Sequence, residues 1–503
     1  MDGSVPRCTH GRRQFLSGMA AASLCAGLPA CGTVNPATGR SSFTGVYSVE
    51  DDIKLGQDEH GKIVKEFGGE YENRKLQAYV DGIGKTLALH TEFQQFPYKF
   101  TILNTPIVNA FALPGGFVYV SRGLLSLASD EAELAGVVAH EIGHVNARHT
   151  AERLSAAQVT QLGLLAGAIG AAVLGLPQGV MQVGQSIAAM SIQSYSRSQE
   201  LEADTLGIRY MSRAGYDPQG MVTFLDTLRE HSMIEAQMQG LPPGSVDEYN
   251  VMATHPRTIE RVEEAMKVAA TARPANPKVA RDTYLDHIDG MLFGDDPRQG
   301  LVRGRLFQHP VLRFEFRVPE GFRILNGETK VMARDQKGSA MLFDTAPIKS
   351  SRTMAAYLQG EWAAKTPLRN VETIDINGLE AATGWVRAQD RQRGAIDIRV
   401  VAIRRDAGSA YRFLFLTPAG ETQRLAQGLR ETTYSFRTLS AAEAGRIRAH
   451  RLLIVPAQPG DTVQGLAKTL PYDAYNEAWF RVLNDLKPGQ PLPAKQRIKV
   501  VAG

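Results

Sequence analysis

The stretch Val137–His149, VVAHEIGHVNARH, constrains the fold more than any other part of the chain. It sets His140 and His144 four residues apart, with Glu141 directly after the first. On an α-helix, residues four apart share a face, with β-carbons about 5–6 Å from one another. Both imidazoles can then reach one metal ion, while Glu141, a step round the helix, can reach the metal's water instead. The helix itself is legible. Asp130 and Glu133 form a capping-box pattern, and Asp130, Glu131 and Glu133 suit the positive end of the helix dipole. Leu134, Val137, Val138 and Ile142 make an apolar stripe at helical spacing.

A catalytic zinc needs three protein ligands and an open position. The segment SRSQELEADTLGIRYM offers Glu200 and Asp204 at i and i+4 on a second predicted helix. Glu200 can complete a two-His, one-Glu set. Asp204 can accept the outer N–H of a liganding imidazole and hold its tautomer. Glu202 should face elsewhere, yet periodicity alone leaves it open as the acidic ligand. Upstream, VNAFALPGGFVYVS reads as strand, Pro-Gly-Gly turn, strand. An edge strand beside a metal can bind an extended peptide through main-chain hydrogen bonds.

Taken together, HEIGHVNARH, ELEAD and NAFALPGGFVYVSRGLL resemble the HtpX/BepA-type zinc metallopeptidases, the gluzincin family that includes the CAAX prenyl proteases. The resemblance covers about residues 48–268. It implies a mainly helical zincin domain with a small β-hairpin and edge strand, one zinc ion, and endopeptidase activity. By the same resemblance the zinc ligands fall on His140, His144 and Glu200, the general base on Glu141, and the carboxylate behind the ligands on Asp204. The substrate-binding edge falls on Asn109, Ala110 and Phe111. ATHPRTIER (Ala253 to Arg261) also recurs in the family. Its His255 resembles a histidine near the active site, placed either to donate a hydrogen bond to the tetrahedral intermediate or to occupy and block the zinc's open position. Arg148 and His149 read as packing or charge pairing.

The chain's start reads as an address. GRRQFLSGMAAASLCAGLPAC carries Arg12 and Arg13 before Phe15 and Leu16, then an Ala-rich stretch too short for a stable span. Residues 1–30 are expected to be a twin-arginine type signal peptide ending in a lipobox, with Cys31 lipidated. Cys8, Cys25 and Cys31 are the only cysteines, so a mature chain starting at Cys31 has no disulfide and no free thiol. Gly32 after the lipid favours the outer membrane. Formal net charge is +4 with no run of like charges, which argues against a nucleic-acid partner.

The remaining organisation is expected to be multidomain. Residues 31–47 read as a lipidated tether, 48–268 as the metallopeptidase domain and 269–300 as a linker. Residues 301–440 alternate like strands, with Asn377-Gly378 as a hairpin signal and helical stretches near 352–364 and 420–431. This is an α+β domain of unknown role, whose lone His309 reads as structural or exposed. Residues 449–503 read strand, helix, helix, strand and resemble a LysM module, best at PGDTV (Pro459 to Val463) and Asn484, which suggests peptidoglycan as a partner. The apolar run Leu162 to Pro177 reads as a buried or re-entrant hairpin rather than a span. The expected function is a periplasm-facing endopeptidase acting on unfolded or misassembled envelope polypeptides. The alternative is a periplasmic chaperone or scaffold with largely latent protease activity.

Overall fold

The computed structural model describes residues 33–42, 44, 47–156, 195–238, 240–242, 244, 255, 259–327, 329–349, 353–390, 394–472 and 474–503. The expected signal peptide, Cys31 and the apolar run 162–177 lie outside the described residues. Among those described, no helix is long and apolar enough to cross a membrane.

The first long helices are α1 (Val49–Glu66), begun by a capping box between Ser48 and Asp51, and α2 (Arg74–Ala88), capped by Asn73. A three-stranded sheet follows, with β3 (Lys99–Leu103), β4 (Ala110–Leu113) and β5 (Phe117–Ser121) in the order β3-β5-β4. β3 runs parallel to β5, and β4 pairs antiparallel to it as the edge strand. Gly115 and Gly116 turn β4 into β5 with φ of 79° and 92°. These left-handed values favour glycine. A Cβ at Gly115 would also stand 2.5 Å from the Ile53 Cα of α1.

Next come α3 (Arg122–Leu127) and the motif helix α4 (Glu131–Ala147), which is buried on almost every side. A helix buried all round belongs to the centre of a domain. Asp130 caps it by accepting the Glu133 N–H at 2.9 Å. The expected capping box is only half formed. Glu133 accepts the N–H of Ser129 rather than that of Asp130, because its carboxylate turns into the core. α5 (Arg197–Arg213) crosses α4 closely, since a Cβ at Gly143 would lie 2.8 Å from the Ala203 carbonyl oxygen. α6 (Gln219–Met238) and α7 (Ile259–Ala272) complete the bundle.

Two segments depart from expectation. The tether reading of 31–47 is corrected where the chain is described. Thr33–Val34 (β1) and Ser41–Ser42 (β2) pair, and Asn35, buried, donates to the carbonyl of Asn146 at the end of α4. Arg148 donates to Asp52 and to the carbonyls of Tyr47 and Ser48, which fastens this segment to the motif helix. The linker reading of 269–300 is also corrected. α8 (Arg281–Ile288) buries Tyr284, Leu285 and Ile288 in the same core as α4. Polar composition concealed both, because few side chains in each segment carry the burial.

Residues 301–440 build a seven-stranded antiparallel sheet and a four-stranded one, the latter of β6 (Leu301–Arg303), β7 (Leu306–His309), β8 (Phe314–Arg317) and β16 (Arg437–Thr438) in the order β16-β8-β7-β6. The first takes β9 (Arg323–Asn326), β10 (Lys330–Arg334), β11 (Ala340–Pro347), β12 (Arg369–Ile376), β13 (Leu379–Asp390), β14 (Gly394–Asp406) and β15 (Ser409–Pro418), in the order β12-β13-β14-β15-β11-β10-β9. Helices Met354–Tyr357 (α9) and Thr422–Ser435 (α10) lie near the predicted positions. Asn377 and Gly378 make the two-residue turn between β12 and β13, both at positive φ. This region holds its own aromatic core around Phe316, Phe343 and Phe413. His309 is buried and accepts the Leu312 N–H through Nδ1 at 3.1 Å, a structural role.

The C-terminal segment has strand β17 (Arg451–Pro456), short helices Val463–Ala467 (α11) and Asn476–Leu483 (α12), and β18 (Arg497–Ala502) antiparallel to β17. It is not a free-standing module. Leu452, Trp479, Phe480 and Val501 share one hydrophobic core with Leu134 and Val138 of the motif helix. Lys499 is 2% exposed and donates Nζ to the carbonyls of Ser126, Leu127 and Ala128 at 2.9, 3.0 and 2.6 Å. Burial pushes its ammonium down to about 7, against the pull of Glu133. Asn484 is spent internally, donating to the Phe480 and Lys499 carbonyls.

Candidate metal centre

Three side chains from two helices converge. α4 projects His140 and His144 from one face, and α5 projects Glu200 from its first turn. The close α4–α5 crossing brings them together. His140 Nε2 lies 3.0 Å from His144 Nε2, and Glu200 carboxylate oxygens lie 3.6 Å from each. Glu202, the acidic residue that periodicity left open, points away from the cluster.

The hydrogen bonds behind these groups decide whether a cation fits between them. His140 Nδ1 faces Asp204 Oδ1 at 2.8 Å, so its proton sits on Nδ1 and Nε2 presents a lone pair. His144 Nδ1 faces His149 Nδ1 at 2.8 Å, and His149 Nε2 faces Glu202 Oε2 at 3.0 Å. The carboxylate fixes the His149 proton on Nε2. His149 Nδ1 then accepts from His144 Nδ1–H, and His144 Nε2 also presents a lone pair. Two lone pairs and a carboxylate thus converge with no proton to share. Four donors held at about 2.0–2.1 Å in a tetrahedron stand roughly 3.3 Å apart, and the observed 3.0–3.6 Å brackets this. The residues therefore fit a zinc ion.

His255 stands as a fourth group. Its Nδ1 is 3.3 Å from His140 Nε2 and 2.9 Å from Glu200, while its Nε2 is 3.3 Å from Glu141 Oε1. His140, His144, Glu200 and His255 all offer ligand atoms within 4.8 Å of one another. Glu141 is buried, and its Oε2 has no hydrogen-bond partner. Burial raises its carboxyl above the ordinary range, partly countered by His255 and His140. Burial lowers His144 well below the usual imidazole value, with His140 adding to it. Burial works against Asp204 ionising, but Arg261 more than offsets it and holds the carboxyl well below normal. Arg261, 3% exposed, grips both acids, reaching Glu200 at 2.6 Å and the two Asp204 oxygens at 2.8 and 2.7 Å.

Of the expected edge residues, Asn109 and Ala110 line the same cavity as His140 and Glu141. The Phe111 side chain does not. Alternation turns it to the other face of the sheet, where it packs with Ile63 and Tyr119. The Ser121 N–H donates to the Asn109 carbonyl, so positions 109, 111 and 113 pair with β5. Ala110 and Ala112 then turn their backbone groups to the outer edge.

Sequence reasoning missed the partner role of His149, the distal role of Glu202, and Tyr195, whose ring stacks on His144 at 3.9 Å. No helical rule reaches His149, because Arg148 ends α4 in the left-handed region, with φ of 56°. Arg261 lay within the recurring ATHPRTIER segment but carried no assigned role.

Residues 74–269 match Peptidase family M48. The beta-barrel assembly-enhancing protease of Escherichia coli K12 is 33% identical over 215 residues, which cover 42% of this chain and 42% of that protein. The mitochondrial metalloendopeptidase OMA1 of Schizosaccharomyces pombe is 27% identical over 248 residues, covering 47% of this chain and 67% of that protein. The putative beta-barrel assembly-enhancing protease of Vibrio cholerae is 31% identical over 216 residues. The chain thus spans less than half the length of the bacterial relatives it matches. The helix that aims two imidazole lone pairs at a buried glutamate thus lies within a segment that matches this family, and together these findings support an HtpX/BepA-like zinc metallopeptidase.

Proposed function

We propose that the whole chain is an exported, lipid-anchored endopeptidase that degrades misfolded or stalled outer-membrane proteins or lipoproteins at the periplasmic face of the envelope. The observation that carries the reading is edge strand β4, whose Asn109 and Ala110 line one cavity with His140 and Glu141. Such an edge recognises extended backbone, which an unassembled β-barrel strand exposes and a folded one pairs. The relatives named for β-barrel assembly support the substrate class. Cys31 holds the chain to the membrane, with Gly32 favouring the outer one.

In this reading His140, His144 and Glu200 hold the zinc. A bound zinc supplies Lewis-acid polarisation of the scissile carbonyl and acidifies water. Glu141, its carboxyl raised by burial, takes the proton of the attacking water and passes it to the leaving amine. Asp204 fixes the His140 tautomer, and His149 with Glu202 behind it fixes that of His144. Cleavage of casein and of an unfolded porin, with and without chelator, tests the activity. Glu141→Gln should keep zinc and lose cleavage, and wild-type rates from that variant would sink the mechanism.

A second reading, a chaperone or scaffold with a latent protease, is favoured by the position of His255 among the ligands. His255→Ala should then raise the rate of cleavage, and a fall would point to a role in catalysis. Peptidoglycan capture by residues 449–503 is tested by retention on insoluble peptidoglycan.

A further inference from the structure

The segment 33–42, a tether by composition, reaches the back of the metal centre. Asn35 builds a tight turn in it, Oδ1 accepting the N–H groups of Ala37 and Thr38 at 2.8 and 3.3 Å. The Asn35 N–H closes the turn on the Arg40 carbonyl at 2.9 Å. Ala37 is buried in the core that holds the motif helix, and its carbonyl accepts Arg209 of α5 at 2.8 Å. The fixed turn delivers Arg40 to the Glu202 carboxylate, also on α5. His149 Nε2 donates to the same Glu202 oxygen at 3.0 Å, and His144 Nδ1 donates to His149 Nδ1 at 2.8 Å. Arg40 thus sets where the oxygen that orients His149 sits. His149 needs this support, because it lies beyond the left-handed break at Arg148 that ends α4. The same segment steadies the break. Asn35 Nδ2 donates to the Asn146 carbonyl at 2.8 Å, one of the carbonyls a helix end leaves open.

We infer that Arg40 is a positioning residue for the metal centre, and that docking of segment 33–42 and binding of zinc strengthen each other. The inference rests on the ligand set of the peptidase reading and goes beyond it. With Arg40 in place, Glu202 holds the His149 proton on Nε2, so His149 Nδ1 stays an acceptor and His144 Nε2 keeps its lone pair for the metal. A partner that touches a ligand directly is worth about 10- to 100-fold in metal affinity. Arg40 stands two partners farther out, and its side chain is 52% exposed. Its effect is therefore on the scale of one solvent-screened ion pair, about two- to fivefold. The sign separates this role from bare charge. By Coulomb's law alone, removing a cation favours a dication. Loss of a positioning residue does the reverse. Linkage makes the coupling reciprocal, so the factor that docking adds to zinc affinity is the factor that zinc adds to docking. In the lipid-anchored reading, this joins the membrane-proximal end of the chain to the metal.

The test is zinc affinity of the full-length protein by chelator competition. Arg40→Gln should bind zinc about two- to fivefold more weakly than wild type, and Arg40→Lys should recover part of the loss. Arg213→Gln, at the other end of α5, removes the same charge outside the relay and should bind no more weakly than wild type. The gap between wild type and Arg40→Gln should close near 1 M salt, where the screening length is about 3 Å. In a His149→Phe background, which cuts the relay, Arg40→Gln should cost nothing further. Zinc should also slow amide exchange across 33–42 of the wild type by about twofold or more, while exchange across 369–376 in the seven-stranded sheet stays unchanged. Circular dichroism checks the fold of each variant, and if one misfolds, exchange in the wild type decides. Zinc binding by Arg40→Gln as tight as wild type or tighter, an additive loss in the His149→Phe background, or exchange across 33–42 indifferent to zinc would each overturn the assignment while leaving the peptidase intact. A wild type that takes up no zinc would instead overturn the ligand set, and the relay with it.

Discussion

Replacing Arg261 with Met asks how much of the metal centre is built before any metal arrives. Arg261 is 3% exposed and touches Glu200 at 2.6 Å and both oxygens of Asp204 at 2.8 and 2.7 Å. Methionine keeps most of the apolar stem and removes the charge, leaving two buried carboxylates whose nearest remaining partners are imidazoles. Breaking a buried ion pair by removing one partner costs about 3–5 kcal/mol. That magnitude suits an interaction at an effective dielectric near 20, where a single pair at 4 Å is worth roughly 4 kcal/mol. The cost should fall locally, so the assay is amide hydrogen exchange across 138–146 and 200–206 in metal-free buffer. Protection should drop by about two to four powers of ten, and Arg261→Lys should recover only part, because an ammonium cannot form the two-pronged contact with Asp204. The pH dependence follows. Asp204 is held below its unfolded value, so its stabilisation is present above about pH 4 and lost as pH falls further. The gap between wild type and Arg261→Met should therefore narrow below about pH 4. Protection within a factor of a few of wild type at pH 7 would refute the idea that Arg261 preassembles the ligands.

Three further outcomes are expected. His149→Phe, which removes the acceptor for His144 Nδ1–H, should weaken zinc binding by about 10- to 100-fold in chelator competition, and an unchanged affinity would remove His149 from the site. Lys499→Met should lower the melting temperature, since each buried acceptor left unmade at 126–128 costs about 1–3 kcal/mol. An unchanged melting temperature would make the C-terminal segment a loosely attached appendage. Burial lowers His309 to about 4, so the stability it lends is full above about pH 6.5 and lost as pH falls toward 4. His309→Asn should flatten that acid limb in melts between pH 7 and 4.5, and a limb of unchanged slope would contradict the assignment.

The sequence by itself determined the local features of this protein. The spacing of His140, Glu141 and His144, the cap at Asp130, the turn at Gly115 and Gly116, and the hairpin at Asn377 and Gly378 follow from interactions within a few residues. These carry their own periodicity or dihedral requirement. Resemblance added Glu200 over Glu202, which periodicity had left open. Tertiary structure decided what depends on distant segments. The crossing of α4 and α5 at Gly143 sets which acid faces the imidazoles. The break at Arg148 swings His149 behind His144, where helical spacing no longer applies. Asn35, Tyr284 and Lys499 turn an apparent tether, linker and tail into parts of the catalytic core. The physical reason is that a polar segment with one or two well-placed buried groups looks the same in sequence as a free one. Only the surface it meets, here up to 373 residues away in the chain, decides between them.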